Sequence, residues 1–249
     1  MGRMQELDVT AAERAARVDL AAALRLAVRM DLHEGVCNHF SVMLDRRRFL
    51  LNRFGLHWCE VTAGNLLCLD ADGKLLEGEG EFEKTAFYIH SRIHLAHPRA
   101  ACVLHTHMPY ATALTLLAEG RLEMVEQNAL RFHQDIAYDD TYNGLVVDNA
   151  EGDRLAAALG DKRVMFLANH GVIVVGTTVA EAFDALYYLE RACRLQVLAR
   201  SMGGAIRPVR PEVVRETRRM LAADAPKYSR AHFGALKRIL DREEPDYSR

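Results

Sequence analysis

The segment Ala100-Ala101-Cys102-Val103-Leu104-His105-Thr106-His107-Met108-Pro109-Tyr110-Ala111-Thr112-Ala113-Leu114 changes character once, at Pro109. Residues 100–105 are mostly apolar and read as a buried strand that ends on a histidine. Pro109 then opens a helix over 111–117, because its ring presets the first helical residue and its missing N–H has no partner to lose there, and Gly120 closes it. Side chains two apart in extended backbone lie on the same side, so His105 and His107 offer two imidazoles together.

The apolar runs 164–168 and 172–175 read as two more strands meeting at the tight turn Asn169-His170-Gly171. His170, at a strand end and uncovered by Gly171, could complete a three-histidine site. Three neutral imidazoles suit zinc, manganese, iron or cobalt and leave positions open for substrate. The residues alone leave a second reading open, a hydrogen-bonded structural pair at 105 and 107 with no ion.

Around this centre, residues 10–31 carry apolar side chains at helical spacing, and 36–44 and 49–52 are short strands across the polar turn 45–48. Residues 66–69 and 74–76 form a hairpin over Asp70-Ala71-Asp72-Gly73, whose Asp and Gly accept left-handed backbone. Residues 83–96 turn helical before Pro98, 155–159 are helical, and 178–202 is a long helix with Ala182, Leu186, Leu189 and Cys193 on one side. Past Gly203-Gly204 the chain is rich in Arg and Pro, with a weaker helix over 211–221 and a charged end. Strands flanked by helices on both sides, with no Pro/Gly linker between them, predict one α/β domain over 1–249, its core at about 15–205 and a helical tail at 206–249.

With 50% of residues hydrophobic and 27% charged, 249 residues can bury a sizeable core, which excludes disordered and fibrous classes. The 32 basic and 34 acidic side chains are dispersed, so no field is available to hold a phosphate backbone, and no nucleic-acid partner is expected. Five Cys without a CxxC pair point to a reduced, cytoplasmic setting. The charged N-terminal stretch has no apolar signal core and no run of eighteen apolar residues occurs, so no membrane partner is expected.

His105-Thr106-His107-Met108-Pro109-Tyr110-Ala111-Thr112-Ala113-Leu114 followed by Asn169-His170-Gly171 resembles the class II aldolase/adducin family, over roughly 15–201. The resemblance implies a three-layer α/β/α sandwich around a mainly antiparallel sheet, a homotetramer, and a divalent metal on His105, His107 and His170, with zinc first among the candidates. It also implies a tail from Arg207 onward that reaches a neighbouring subunit. The departures from the pattern carry equal information. Where the family's sugar-phosphate aldolases have Pro-Ser-Ser-Glu, this chain has Glu83-Lys84-Thr85-Ala86, so Ala86 stands in the place of the acid/base Glu. Asn38-His39-Phe40-Ser41 replaces Gly-Asn-x-Ser, and Asn52-Arg53-Phe54-Gly55 replaces Thr-Pro-Ser-Gly, leaving little of a phosphate cradle. The closer resemblance is to the adducin-like and decarboxylase-like branch.

Three further residues are candidates for catalysis. Glu83 could return to the site if the helix start shifts, against the default of a solvated helix face. His133, after the HxH helix, could approach the metal or carry a proton, against a buried, hydrogen-bonded role. Tyr110 lies near the metal at a helix start, against plain packing on the sheet. His90, His94 and His97 share a helix at spacings of four and three and are read as a solvated face. Lys84, Arg53 and Arg131 could pair with a substrate carboxylate. A cation with open positions stabilises an enolate formed beside a chelated carbonyl, so aldol cleavage and decarboxylation share machinery and differ in proton handling. The expectation is a metal-dependent carbon–carbon lyase, decarboxylase ahead of aldolase, for a small non-phosphorylated oxo or hydroxy acid. A non-catalytic adducin-like scaffold and an iron-dependent oxygenase are the alternatives.

Overall fold

A computed structural model describes residues 2–249, with side chains described from residue 11 onward. The elements in order are α1 (Gly2–Arg29), β1 (His39–Met43), β2 (Arg48–Leu51), β3 (Leu67–Asp70), β4 (Leu75–Glu77) and α2 (Lys84–Ala96). There follow β5 (Cys102–Thr106), α3 (Pro109–Thr115), β6 (Ile136–Asp139), α4 (Asn149–Leu159), β7 (Val164–Leu167), β8 (Gly171–Gly176), α5 (Val179–Ser201) and α6 (Pro211–Glu243). The eight strands make one mixed sheet in the order β4-β3-β2-β1-β5-β8-β7-β6. Every neighbouring pair is antiparallel except β6 with β7. The fold is therefore α/β with a mainly antiparallel sheet. The one parallel pair needs a crossover, which α4 supplies.

Alternation along the central strands explains how the sheet is covered. Cys102 and Leu104, Val172 and Val174, and Val164 and Phe166 join a buried cluster with Leu20, Leu24, Phe183 and Leu186 of α1 and α5. Their neighbours Val103, Ile173, Val175, Met165 and Leu167 instead meet Ile89 and Ile93 of α2 and Leu155 and Leu159 of α4. Both faces are apolar, which is why these strands read as near-continuous hydrophobic runs. Gly152 lets α4 lie against α2, since a Cβ there would come within 2.3 Å of the Tyr88 carbonyl oxygen. The hairpin at 70–73 forms as its residues predict: Asp70 accepts the N–H groups of Asp72 and Lys74, and Gly73 takes a φ of 87°.

The tail departs from expectation. Rather than a short helix at 211–221 followed by a charged end, α6 runs unbroken to Glu243, with Pro226 inside it, and packs on its own α5. Phe233 faces Phe183 at 5.7 Å, and His232 Nδ1 donates to Asp184 at 2.8 Å. The same helix covers Tyr187, whose ring lies 4.9 Å from that of His232. Beyond it, Glu244 and Asp246 receive the buried guanidinium of Arg25 from α1 at 3.0 and 2.8 Å.

Candidate metal centre

The end of β5 and the turn between β7 and β8 bring His105, His107 and His170 together. One ring nitrogen from each lies within 4.8 Å of the others, and the ring centroids are 4.8 to 5.0 Å apart. Local sequence explains how the turn reaches this point. Asn169 adopts a left-handed φ of 56°, which Asn tolerates better than most residues. Gly171 admits close approach of β5, because a Cβ there would lie 2.5 Å from the Thr106 carbonyl oxygen and 2.8 Å from the His107 ring.

Partners outside the cluster set the tautomers. His105 Nδ1–H donates to the Val172 carbonyl at 3.0 Å, so its Nε2 is bare and turned toward the other rings. His107 Nδ1 meets the Glu34 carboxylate at 2.5 Å, which leaves its Nε2 bare as well. The two Nε2 atoms stand 3.1 Å apart. Two facing lone pairs repel unless a proton or a cation lies between them. Burial pushes the proton affinity of His105 well below the ordinary range, and burial with His107 nearby brings that of His170 down to about 4. A divalent cation therefore fits this donor set, and the carboxylate behind His107 is the usual outer partner of a metal-bound imidazole. Asn38 adds a brace, its Oδ1 accepting the His107 backbone N–H at 3.3 Å.

Glu34 is the residue that sequence reasoning missed. It lies just past α1, seventy-three residues from its partner, where His33-Glu34-Gly35 reads only as a helix end. Replacing it by Gln removes the charge that holds the His107 tautomer and should weaken zinc affinity about 10- to 100-fold, measured by competition with a chromophoric chelator. An unchanged affinity would show that this carboxylate plays no part in ligation.

The other expected residues are elsewhere. Glu83 caps α2, its carboxylate accepting the Thr85 hydroxyl and, at 2.8 Å, the Ala86 N–H, so it is held at a helix start and does not join the cluster. Tyr110 donates its backbone N–H to Glu190, and its ring lies under Arg194 at 5.4 Å, facing α5. His133 lines a surface cleft with Asp135, Arg215, Arg218 and Arg219. Arg131 lies over Tyr188 at 3.9 Å, Arg53 packs against Gly80, and Lys84 is exposed. The solvated face expected at His90, His94 and His97 is corrected: all three are buried, because this side of α2 faces β1 and β5. His97 is satisfied structurally, its Nε2 donating to the Lys162 carbonyl at 3.0 Å and its Nδ1 accepting from Arg99 N–H.

The family model described as Class II Aldolase and Adducin N-terminal domain matches residues 18–197. A Caulobacter vibrioides protein that carries an aldolase class 2 name is 33% identical over 244 residues, covering 96% of this chain and 94% of that one. The structure of an aldolase II superfamily protein from Pseudomonas syringae is similar at a TM-score of 0.89 and 35% identity, covering 95% and 96% of the two chains. That of an L-fuculose 1-phosphate aldolase from Glaciozyma antarctica is similar at 0.84 and 25%, covering 96% and 94%.

Proposed function

This chain belongs to the class II aldolase and adducin family, and from that membership we propose that it is a divalent-metal-dependent carbon–carbon lyase. Its substrate in this reading is a small non-phosphorylated oxo or hydroxy acid, with decarboxylation ahead of aldol cleavage. The observation that carries the reading is the convergence of His105, His107 and His170, the first two with bare Nε2 atoms facing each other. A cation held there, zinc first and manganese, iron or cobalt next, would supply charge stabilisation for a developing oxyanion. The chain's own part is to keep the imidazoles neutral and oriented, through Val172 and Glu34.

Ala86 supports decarboxylation. It is fully buried in an apolar cluster with Phe49, Leu51, Leu69 and Phe87, so no carboxylate stands at that position to take a hydroxyl proton. Loss of carbon dioxide does not require that base. A non-phosphorylated substrate is supported by two residues at the phosphate-cradle positions, Asn38 and Asn52, whose side-chain oxygens are engaged with the backbone. Asn52 Oδ1 accepts the Phe40 N–H at 2.9 Å, and Asn38 Oδ1 is taken by His107. Each charge-assisted bond missing from such a cradle is worth about 1.5 to 3 kcal/mol, so two or three would weaken a phosphate ligand by several powers of ten.

In the same reading the sheet is the middle layer of a three-layer sandwich and residues 1–249 form one domain. Phe233, Leu240 and Tyr247 of the tail region join the same buried cluster as Leu20 and Leu186, which supports this. Leu195 and Leu198 on α5 and Met202 just past its end are exposed and support assembly, a homotetramer by family resemblance. Five unpaired cysteines support a reducing, cytoplasmic setting, and no described helix is long and apolar enough to cross a membrane.

Metal analysis of protein purified without chelator, followed by a carbon dioxide release assay over a panel of small oxo and hydroxy acids, tests the proposal. Bound divalent metal, turnover of an acid and no cleavage of fuculose, rhamnulose or ribulose phosphates are expected. Efficient cleavage of any of those phosphates would overturn the substrate reading. A chain that takes up no metal would favour an adducin-like scaffold, the second reading, which the loss of the acid/base Glu at Ala86 also fits.

A further inference from the structure

Behind the three imidazoles runs a line of buried side chains for which the lyase reading has no use. His94 Nδ1 meets the Ala100 carbonyl at 2.5 Å. A carbonyl only accepts, so the proton is on Nδ1, and in the neutral ring Nε2 is bare. Ser41 Oγ lies 2.7 Å from that Nε2 and gives it its single proton. The hydroxyl must then accept from His90 Nδ1–H at 2.5 Å. His90 Nε2 is left bare and accepts from His39 Nδ1–H at 2.7 Å. Every proton in the line is thus assigned from one backbone carbonyl, and the line ends on an unprotonated His39 Nε2.

The end of the line adjoins the metal centre. His39 and His105 are register partners across β1 and β5, with rings stacked at 4.7 Å and 27°. His39 Nε2 has no hydrogen-bond partner among the described residues, and it is not one of the polar atoms sealed from solvent. The lone pair of this buried ring, beside a chelating centre, discriminates by hydrogen-bond sign: it attracts a hydroxyl and repels a carbonyl or carboxylate oxygen.

We propose that His39 Nε2 is a neutral, acceptor-only subsite of the metal centre, oriented by Ser41, His90 and His94, that selects substrates with a hydroxyl beside their metal-binding oxygens. This inference rests on the lyase reading and narrows its substrate class to oxo acids that also carry a hydroxyl, the oxo group taking up the electron pair that departing carbon dioxide leaves behind. His39 touches the substrate. Ser41, His90 and His94 are positioning residues.

Two measurements test it. In metal-free protein labelled with nitrogen-15 at histidine, long-range proton–nitrogen correlation should show His39, His90 and His94 all protonated at Nδ1 and bare at Nε2. A protonated His39 Nε2 in the parent would overturn the assignment. In the zinc-loaded protein, lactate and pyruvate serve as a probe pair that differs by the hydroxyl donor. His39→Phe keeps an aromatic ring against His105, and it should lower the lactate-to-pyruvate affinity ratio about ten-fold, chiefly through lactate. Ser41→Ala should release the His39 tautomer and lower the same ratio with zinc content unchanged. A parent that takes up no zinc would defeat the lyase reading and the subsite with it. A zinc-loaded parent whose ratio is unchanged in His39→Phe would defeat the subsite alone.

Discussion

His170→Ala will leave the chain folded and strip it of stoichiometric metal. The residue sits on a turn, half-buried, and its side chain makes no hydrogen bond among the described residues, so little of the fold depends on it. Two imidazoles from one strand remain, and losing one of three ligands should cost more than the roughly 10- to 100-fold that follows removal of an outer partner. The metal-to-protein ratio after gel filtration, with circular dichroism to confirm folding, gives the answer. A ratio equal to the parent's would remove His170 from the ligand set. His105→Ala is the less informative variant, because His105 is buried, bonded to Val172 and stacked on His39, so its loss also opens a hole beside the sheet.

The metal-free protein should lose stability steeply as the pH falls from about 6.5 toward 4. Burial lowers the proton affinity of His39 to about 3 and of His94 to about 4, and places His90 and His105 well below the ordinary range. Unfolded, all four return to about 6.5. Between those limits the unfolded state holds more protons, so stability is complete above the unfolded value and falls as the pH drops. His170, whose proton affinity also drops to about 4, adds to these four, so the slope should approach about five protons taken up per unfolding event. Trp58, the single tryptophan, is fully buried against Phe40 and reports the transition by fluorescence in urea. A urea midpoint that does not change between pH 7 and 5 would mean these histidines are not held neutral by the fold.

Much of this was legible in the residues because the determining information is local. The hairpin at 70–73, the strand into the HxH, and the Asn-His-Gly turn each depend on neighbours in sequence, and each forms where its residues predict. The histidines at 90, 94 and 97 defeat the same reasoning, since a polar stripe at helical spacing looks alike whether it meets water or hydrogen-bond partners on a strand. Their partners, Ser41, His39 and the Ala100 carbonyl among them, come together only when β1 and β5 pair. Glu34 was hidden for the same reason. The strand β6 lies in a stretch that reads as polar, because Ile136–Asp139 occupies a sheet edge against a single neighbour. Residues 211–221 read as the whole of the tail helix, yet α6 continues through Pro226, held on both sides of the proline by Arg218 on Asp135 and Phe233 in the core.

The strand order has a consequence for how the chain acquires its centre. β1 to β4 form a run of sequence neighbours that can pair early, whereas β5 joins β1 on one side and β8 on the other across long separations. Such non-local closures are the slow steps of folding. The three histidines straddle this seam. Two lie at the end of β5, the third arrives with the β7–β8 turn, and the carboxylate behind His107 comes from before β1. A cation present at the start of refolding therefore meets only the pair at 105 and 107, and the full set only after the last loop has closed. The centre marks completion of the fold and cannot nucleate it.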